Sequence, residues 1–291
     1  MTVTIRSMTV DDVEAVAAVV TAADRAADRE AGREPEEHSE EQRAHFRRGM
    51  RRFVERDGAG AFVAEDDGTV VGMAEAIRRG TFWGLSMLFV HPDQQSKGLG
   101  RQLLDATLTY AEGATVRMIM SSPDPRAMRR YALAGHAIHP AVDAEGTVDR
   151  SAIPGDLRGR TGDLADLDLV EAVDRTLRGS RAEDVEWIVA SGGARLEIVD
   201  DAGGRGWAVH RDGRVFALGA TDTDTASAVL WRALAETDGK ATIWCLTAAQ
   251  DWAVRVTLAA RMSVSGKGSG AMFIAGMPQP PGPWIPSGWY F

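Results

Sequence analysis

The order of secondary-structure elements is repeated along the chain, and this repeat limits the fold more than any other feature of the sequence. Val13, Val16, Ala17 and Val20 share one helical face after Thr9. Ser39 and Gln42 have capping-box spacing and predict a second helix ending near Gly58. Residues 61–65 and 70–77 read as a hairpin turned by Asp66-Asp67-Gly68, and residues 84–90 as a third strand. Leu99, Leu103, Ala106 and Tyr110 then form a helical stripe, followed by a strand at 116–120 and a helix at 125–134 closed by Gly135. The same series returns: a helix at 167–178, a helix opened by Ser180 and Glu183, strands at 196–199, 206–210 and 215–220, a helix at 223–236, a strand at 241–246 and a helix at 250–260. A short strand at 2–6 precedes the first copy, and closing strands near Met262 and at 271–274 end the second. Helices and strands in this order predict an α+β fold, duplicated, each half a mixed, mostly antiparallel sheet flanked by helices.

Turn formers crowd residues 141–165 (Gly146, Pro154, Gly155, Gly159, Gly162), which predicts a linker between domains at 1–140 and 166–291. A length of 291 residues accommodates two such domains. The single cysteine, Cys245, excludes an intramolecular disulfide framework. No apolar run is long enough to span a bilayer, and no apolar stretch follows a basic patch at the start, so the expected location is the cytoplasm. A net charge of −9 disfavours nucleic acid and suits a cationic partner. The six histidines show no metal-ligand spacing. The tail Pro278-Gln279-Pro280-Pro281-Gly282-Pro283 leads into Trp284-Ile285-Pro286-Ser287-Gly288-Trp289-Tyr290-Phe291, which is too aromatic for a solvated end and is expected to dock.

Chemistry concentrates in one strand–loop–helix segment, Met87-Leu88-Phe89-Val90-His91-Pro92-Asp93-Gln94-Gln95-Ser96-Lys97-Gly98-Leu99-Gly100-Arg101. Gly98 and Gly100 carry no Cβ, so a ligand can approach the backbone there. The helix that follows turns its unpaired amides and positive dipole end toward the loop, and Lys97 and Arg101 add charge. A phosphate-bearing ligand suits this arrangement. A Walker loop would need Gly-Lys-Ser/Thr at the helix start, and a dinucleotide fold would need G-x-G-x-x-G after its first strand; neither is present.

The spacing Q-x-x-G-x-G behind L-x-V-x-P, carried by Leu88, Val90, Pro92, Gln95, Gly98 and Gly100, resembles the pyrophosphate loop of the GNAT superfamily of N-acetyltransferases. Downstream, Ala127, Tyr131 and Gly135 resemble the family's next helix. The whole chain is similar to tandem, two-domain members of actinobacterial type. The resemblance implies acetyl-CoA as co-substrate, no metal, and a primary amine of a small molecule or peptide as acceptor. It implies that Leu88, Phe89 and Val90 pair with the pantetheine arm as an added strand would. The amides of Gln95, Ser96, Lys97, Gly98, Leu99, Gly100 and Arg101 would cradle the pyrophosphate. Tyr131 would act as general acid toward the departing thiolate, while the amine attacks the thioester directly. Three groups stand as candidate bases: Glu75, the α-carboxylate of Phe291, and water. A homodimer is a further expectation, and a non-catalytic acyl-CoA sensor is the alternative function, since the strand before the loop contains no glutamate.

Adding 126 to each number aligns the second portions of the two halves. Gln95, Gly98, Gly100 and Tyr131 then become Thr221, Asp224, Ala226 and Thr257. Asp222 and Asp224 suit helix capping and would repel a pyrophosphate. The second half is therefore expected to keep the fold and lack the cofactor.

Overall fold

The computed structural model describes residues 3–179 and 182–290. Its strands form two mixed sheets flanked by helices. The contacts divide the chain into two units. One holds the chain up to Arg78 together with residues 83–114, and the other holds residues 79–82 and everything from Thr115 onward.

The first unit contains β1 (Thr4–Ser7), α1 (Val13–Glu30), α2 (Glu40–Asp57), β2 (Ala61–Asp66), β3 (Thr69–Arg79), β4 (Phe82–Val90) and α3 (Leu99–Thr109), with strand order β1-β2-β3-β4. The Ser39 cap forms as expected: its hydroxyl accepts the Gln42 amide at 3.2 Å, and the Gln42 side chain accepts the Ser39 amide at 2.7 Å. The hairpin turn puts Asp67 at φ 49° and Gly68 at φ 78°, the left-handed pair that a two-residue hairpin requires. Residues 71–77 of β3 are all buried, as befits a strand covered on both faces. On one face Leu99 and Leu103 of α3 meet Ala64, Val71 and Ala74. Gly72 permits this approach, because a Cβ there would lie 3.0 Å from Leu103 and 3.2 Å from the Phe89 carbonyl.

The second unit contains β5 (Val116–Ser121), α4 (Pro125–Leu133), β6 (Ala137–Pro140), β7 (Val142–Thr147), β8 (Arg160–Gly162), α5 (Leu167–Leu177) and α6 (Ala182–Gly192). It continues with β9 (Arg195–Asp201), β10 (Gly204–Arg211), β11 (Arg214–Ala220), α7 (Thr223–Ala235), β12 (Lys240–Leu246), α8 (Asp251–Ala259), β13 (Ser263–Ser265), β14 (Ala271–Ala275) and β15 (Trp284–Ile285). The expected capping box of Ser180 with Glu183 falls partly outside the described residues, since Ser180 is not among them. The stretch expected as a linker, 141–165, holds β7 and β8.

Closing strands are exchanged relative to sequence order. β14 sits between β5 and β6, with Met272 opposite Met120 and His139, whereas β7 sits between β13 and β12. Burial explains the placement of β14: Ala271, Met272, Phe273 and Ile274 are all buried, which an interior strand provides and an edge strand does not. The second sheet runs β13-β7-β12-β11-β10-β9-β8. One of its apolar clusters joins Val215, Leu218 and Ile243 to α7 and α8, and another joins Trp207, Val209 and Ala217 to α5.

Two buried ionic contacts support this unit. Arg79 grips Asp184 with both ends of its fork at 2.9 Å, and Asp184 is 1% exposed. Glu197 is fully buried, meeting His210 at 3.3 Å and Arg232 at 3.0 Å. Removing one member of such a pair strands the other's charge in a poorly solvated place. Asp184→Ala should therefore lower unfolding free energy by about 3–5 kcal/mol in urea titrations; a loss below ~1 kcal/mol, the range of exposed pairs, would show that water reaches Arg79.

Candidate functional site

β4 delivers Leu88, Phe89 and Val90 half-buried to the mouth of the loop. The His91 amide donates to the Val71 carbonyl at 2.9 Å, anchoring the strand end to β3. A single 3₁₀ turn follows, Pro92–Gln94. The Gln95 side-chain amide then reaches back to the Val90 carbonyl at 3.2 Å, folding the loop over its own strand.

Two left-handed residues bring the chain from strand to helix: Ser96 at φ 63° and Gly98 at φ 87°. Gly98 is the residue before α3, and no side chain caps this helix start. The amides of residues 96–100 consequently have no acceptor among the described residues. The space where a Gly98 Cβ would stand is open to 4 Å. Leu99 and Gly100 are buried, which fixes the first turn of α3 in place. Lys97 is exposed and donates to the Gln94 side chain at 2.8 Å, and Arg101 is exposed and stands 3.8 Å from Asp105. These neutral and acidic neighbours leave both cations at the loop surface. Five amides without an acceptor among the described residues thus lead into an 11-residue helix, flanked by two cations, and such groups are what an anion site is built from.

The corresponding helix start in the second unit is closed. Asp222 caps α7, accepting the Thr225 amide at 2.8 Å and the Thr225 and Thr221 hydroxyls at 2.9 Å. Burial opposes ionisation of Asp222, but these hydrogen bonds hold its carboxyl below the usual range. A carboxylate thus occupies the place where an incoming phosphate would sit.

Tyr131 lies on α4 in the second unit, buried, its ring edge-on to Phe273 with centroids 5.5 Å apart. Burial pushes its phenol up to about 12, so it keeps its proton throughout the neutral range. His136, just beyond α4, is pushed down to about 4 by burial and by Arg117, and stays neutral. Glu75 faces the core from β3, opposite Ala61, and both of its carboxyl oxygens are buried without a hydrogen-bond partner. Burial, aided by the nearby Asp57, raises its pKa well above the ordinary value. Glu75 is one of the two protein groups expected as the base. The other protein candidate, the Phe291 carboxylate, lies outside the described residues. Among those residues no three His, Cys, Asp or Glu side chains are placed to share a metal ion, and no helix is long and apolar enough to cross a membrane.

A strand, a polar loop and a helix whose leading amides have no acceptor among the described residues meet here within an α+β fold. Residues 23–135 match the acetyltransferase (GNAT) family, and the two sheets of this chain fit a tandem GNAT arrangement. The fold is also that of a Pyrococcus horikoshii protein described as an acetyltransferase, at TM-score 0.75 and 14% identity over 99% of this chain and 96% of that one. A GCN5-related N-acetyltransferase from Sphaerobacter thermophilus aligns at TM-score 0.56 and 16% identity, over 94% and 95% of the two chains. Another, from Kribbella flavida, aligns at TM-score 0.58 and 14% identity, over 94% and 71%. No curated protein sequence matches this chain.

The buried Glu75 generates a pH prediction. Its pKa is higher folded than unfolded, so its contribution to stability is complete below the unfolded value near 4.3 and is lost as pH rises above it. Glu75→Gln should therefore raise the melting temperature more at pH 8 than at pH 4, and should leave turnover within ~3-fold of the parent, well short of the loss expected of a general base. A destabilised Gln variant at pH 8, or a large loss of turnover, would assign Glu75 a charged role.

Proposed function

We propose that this chain is an N-acetyltransferase that moves the acetyl group of acetyl-CoA to a primary amine of a small molecule or peptide. The observation carrying this reading is the run of five partnerless amides at 96–100. A diphosphate offers acceptor oxygens at the spacing of successive loop amides, and Lys97 and Arg101 are available to balance its charge. The open space at Gly98 lets it approach the backbone. Gln95 shapes the loop, Leu99 and Gly100 fix the helix start, and the edge of Leu88, Phe89 and Val90 is the proposed seat of the pantetheine arm. The match of residues 23–135 to acetyltransferases supports the same donor.

The chemistry needs no protein nucleophile. The neutral amine attacks the thioester carbonyl, the tetrahedral intermediate collapses, and the thiolate leaves with a proton from Tyr131. A phenol at about 12 is protonated at neutral pH and is a suitable acid for that step. The amine's proton passes to Glu75, to the Phe291 α-carboxylate or to water, the three candidates named above. In this reading residues 1–140 form the working half, and residues 166–291 form a half without cofactor.

Two substitutions test the reading. Gly100→Glu puts a side chain and a negative charge into the cradle and should weaken coenzyme A binding by ~100-fold or more in calorimetry. Tyr131→Phe should lower kcat by about 10²–10⁴-fold with coenzyme A affinity unchanged. Unchanged kcat would make Tyr131 a packing residue. Tight acetyl-CoA binding with no thiol release across aminoglycosides, polyamines, amino acids and peptides would favour a sensor over an enzyme.

A further inference from the structure

β11 and β12 run parallel but pair only once, at Arg214 and Thr242. Beyond that point β11 continues to Ala220 with its other edge fully used by β10, where Leu218 faces Ala208 and Gly219 faces Trp207. Its free edge therefore opens toward β12. The C-terminal segment fills this opening as β15, antiparallel to β11, with Ile285 opposite Leu218 and Trp284 opposite Gly219.

The seat is specific in three ways. The Ala220 amide donates to the Pro283 carbonyl at 2.9 Å, extending the ladder by one bond. Two side chains at the start of α8 donate to consecutive carbonyls of the tail, Gln250 to Pro281 at 2.8 Å and Trp252 to Gly282 at 2.7 Å. Trp284 and Ile285 are fully buried, and Ile285 belongs to the cluster beneath α7 and α8. Pro281 and Pro283 carry no amide proton and hold the backbone beside these carbonyls, and the Gly282 carbonyl also accepts the Trp284 amide at 2.9 Å, which sets the turn into β15. Farther on, Arg178 donates to the Tyr290 carbonyl at 3.0 Å.

We propose that the second unit carries a strand-accepting peptide slot, built from the β11 edge with Gln250 and Trp252, whose ligand is the chain's own Pro-Gly-Pro-Trp-Ile segment bound in cis. Main-chain pairing supplies part of the affinity, and the Trp284 and Ile285 side chains supply the selectivity, as in other cases of strand addition. The tail is thus a tethered ligand whose occupancy a competing extended peptide can reduce.

The test keeps the whole chain. A protease site inserted between Pro278 and Gln279, which are both exposed, allows the folded protein to be cut without removing the tail. The expected result is that the fragment 279–291 stays with the body through gel filtration and exchanges one-for-one with a labelled synthetic copy. Copies carrying Trp284→Ala or Ile285→Asp should compete at least ~10-fold less well, a loss a single buried anchor can produce. Because these changes lie in the peptide, the host fold is the same in every comparison. Prompt loss of the fragment, or equal competition by all copies, overturns the slot. Should the cut chain aggregate, hydrogen exchange on the uncut Trp252→Phe variant decides. Faster exchange confined to residues 218–220 and 284–285 supports the slot. No change, or loosening of β9 and β10 as well, overturns it.

Discussion

A helix must do something with its first amides, and the contrast between α3 and α7 organises this molecule. α7 opens on Asp222, whose carboxylate takes the Thr225 amide and two hydroxyls. α3 opens on Gly98, which has no side chain to offer, and amides 96–100 have no acceptor among the described residues. Unpaired amides at a helix start are a standing demand for an anion. The proposed acetyl-CoA site meets that demand, and the capped α7 has none to meet.

The two halves also treat a strand edge differently. In the first, the edge of Leu88, Phe89 and Val90 is proposed to receive the pantetheine arm. In the second, the edge of β11 is occupied by β15. An unpaired strand edge is costly, and in the second half the chain's own tail removes that cost by pairing with β11. The tail's sequence suits this task, since Pro281 and Pro283 restrict the backbone that enters β15 and Trp284 with Ile285 gives it an apolar anchor.

Much of this was legible locally. The Ser39–Gln42 cap and the Asp67-Gly68 turn act within a few residues and form as their spacing implies, and the Q-x-x-G-x-G segment joins a strand to a helix with Gly98 left-handed. The aromatic tail signalled docking, though not its seat. The exchange of β14 and β7 was not legible, because Ala271 pairs with Ser121, about 150 residues away, and an apolar strand fits many sheets equally well. Turn formers hid β7 within the expected linker, since Gly146 interrupts a short strand of mixed burial. The burial of Glu75 did carry a signal: it alternates with Met73 and Ile77 on the inward face of β3, which places a carboxyl among apolar neighbours.

Backbone amide shifts of isotope-labelled protein during a coenzyme A titration examine the central claim most directly. The predicted result is saturable movement of the resonances of residues 96–100, at one ligand per chain, with residues 222–226 undisturbed. Movement centred on Asp222 and Asp224, or a loop at 96–100 that ignores the ligand, would contradict it.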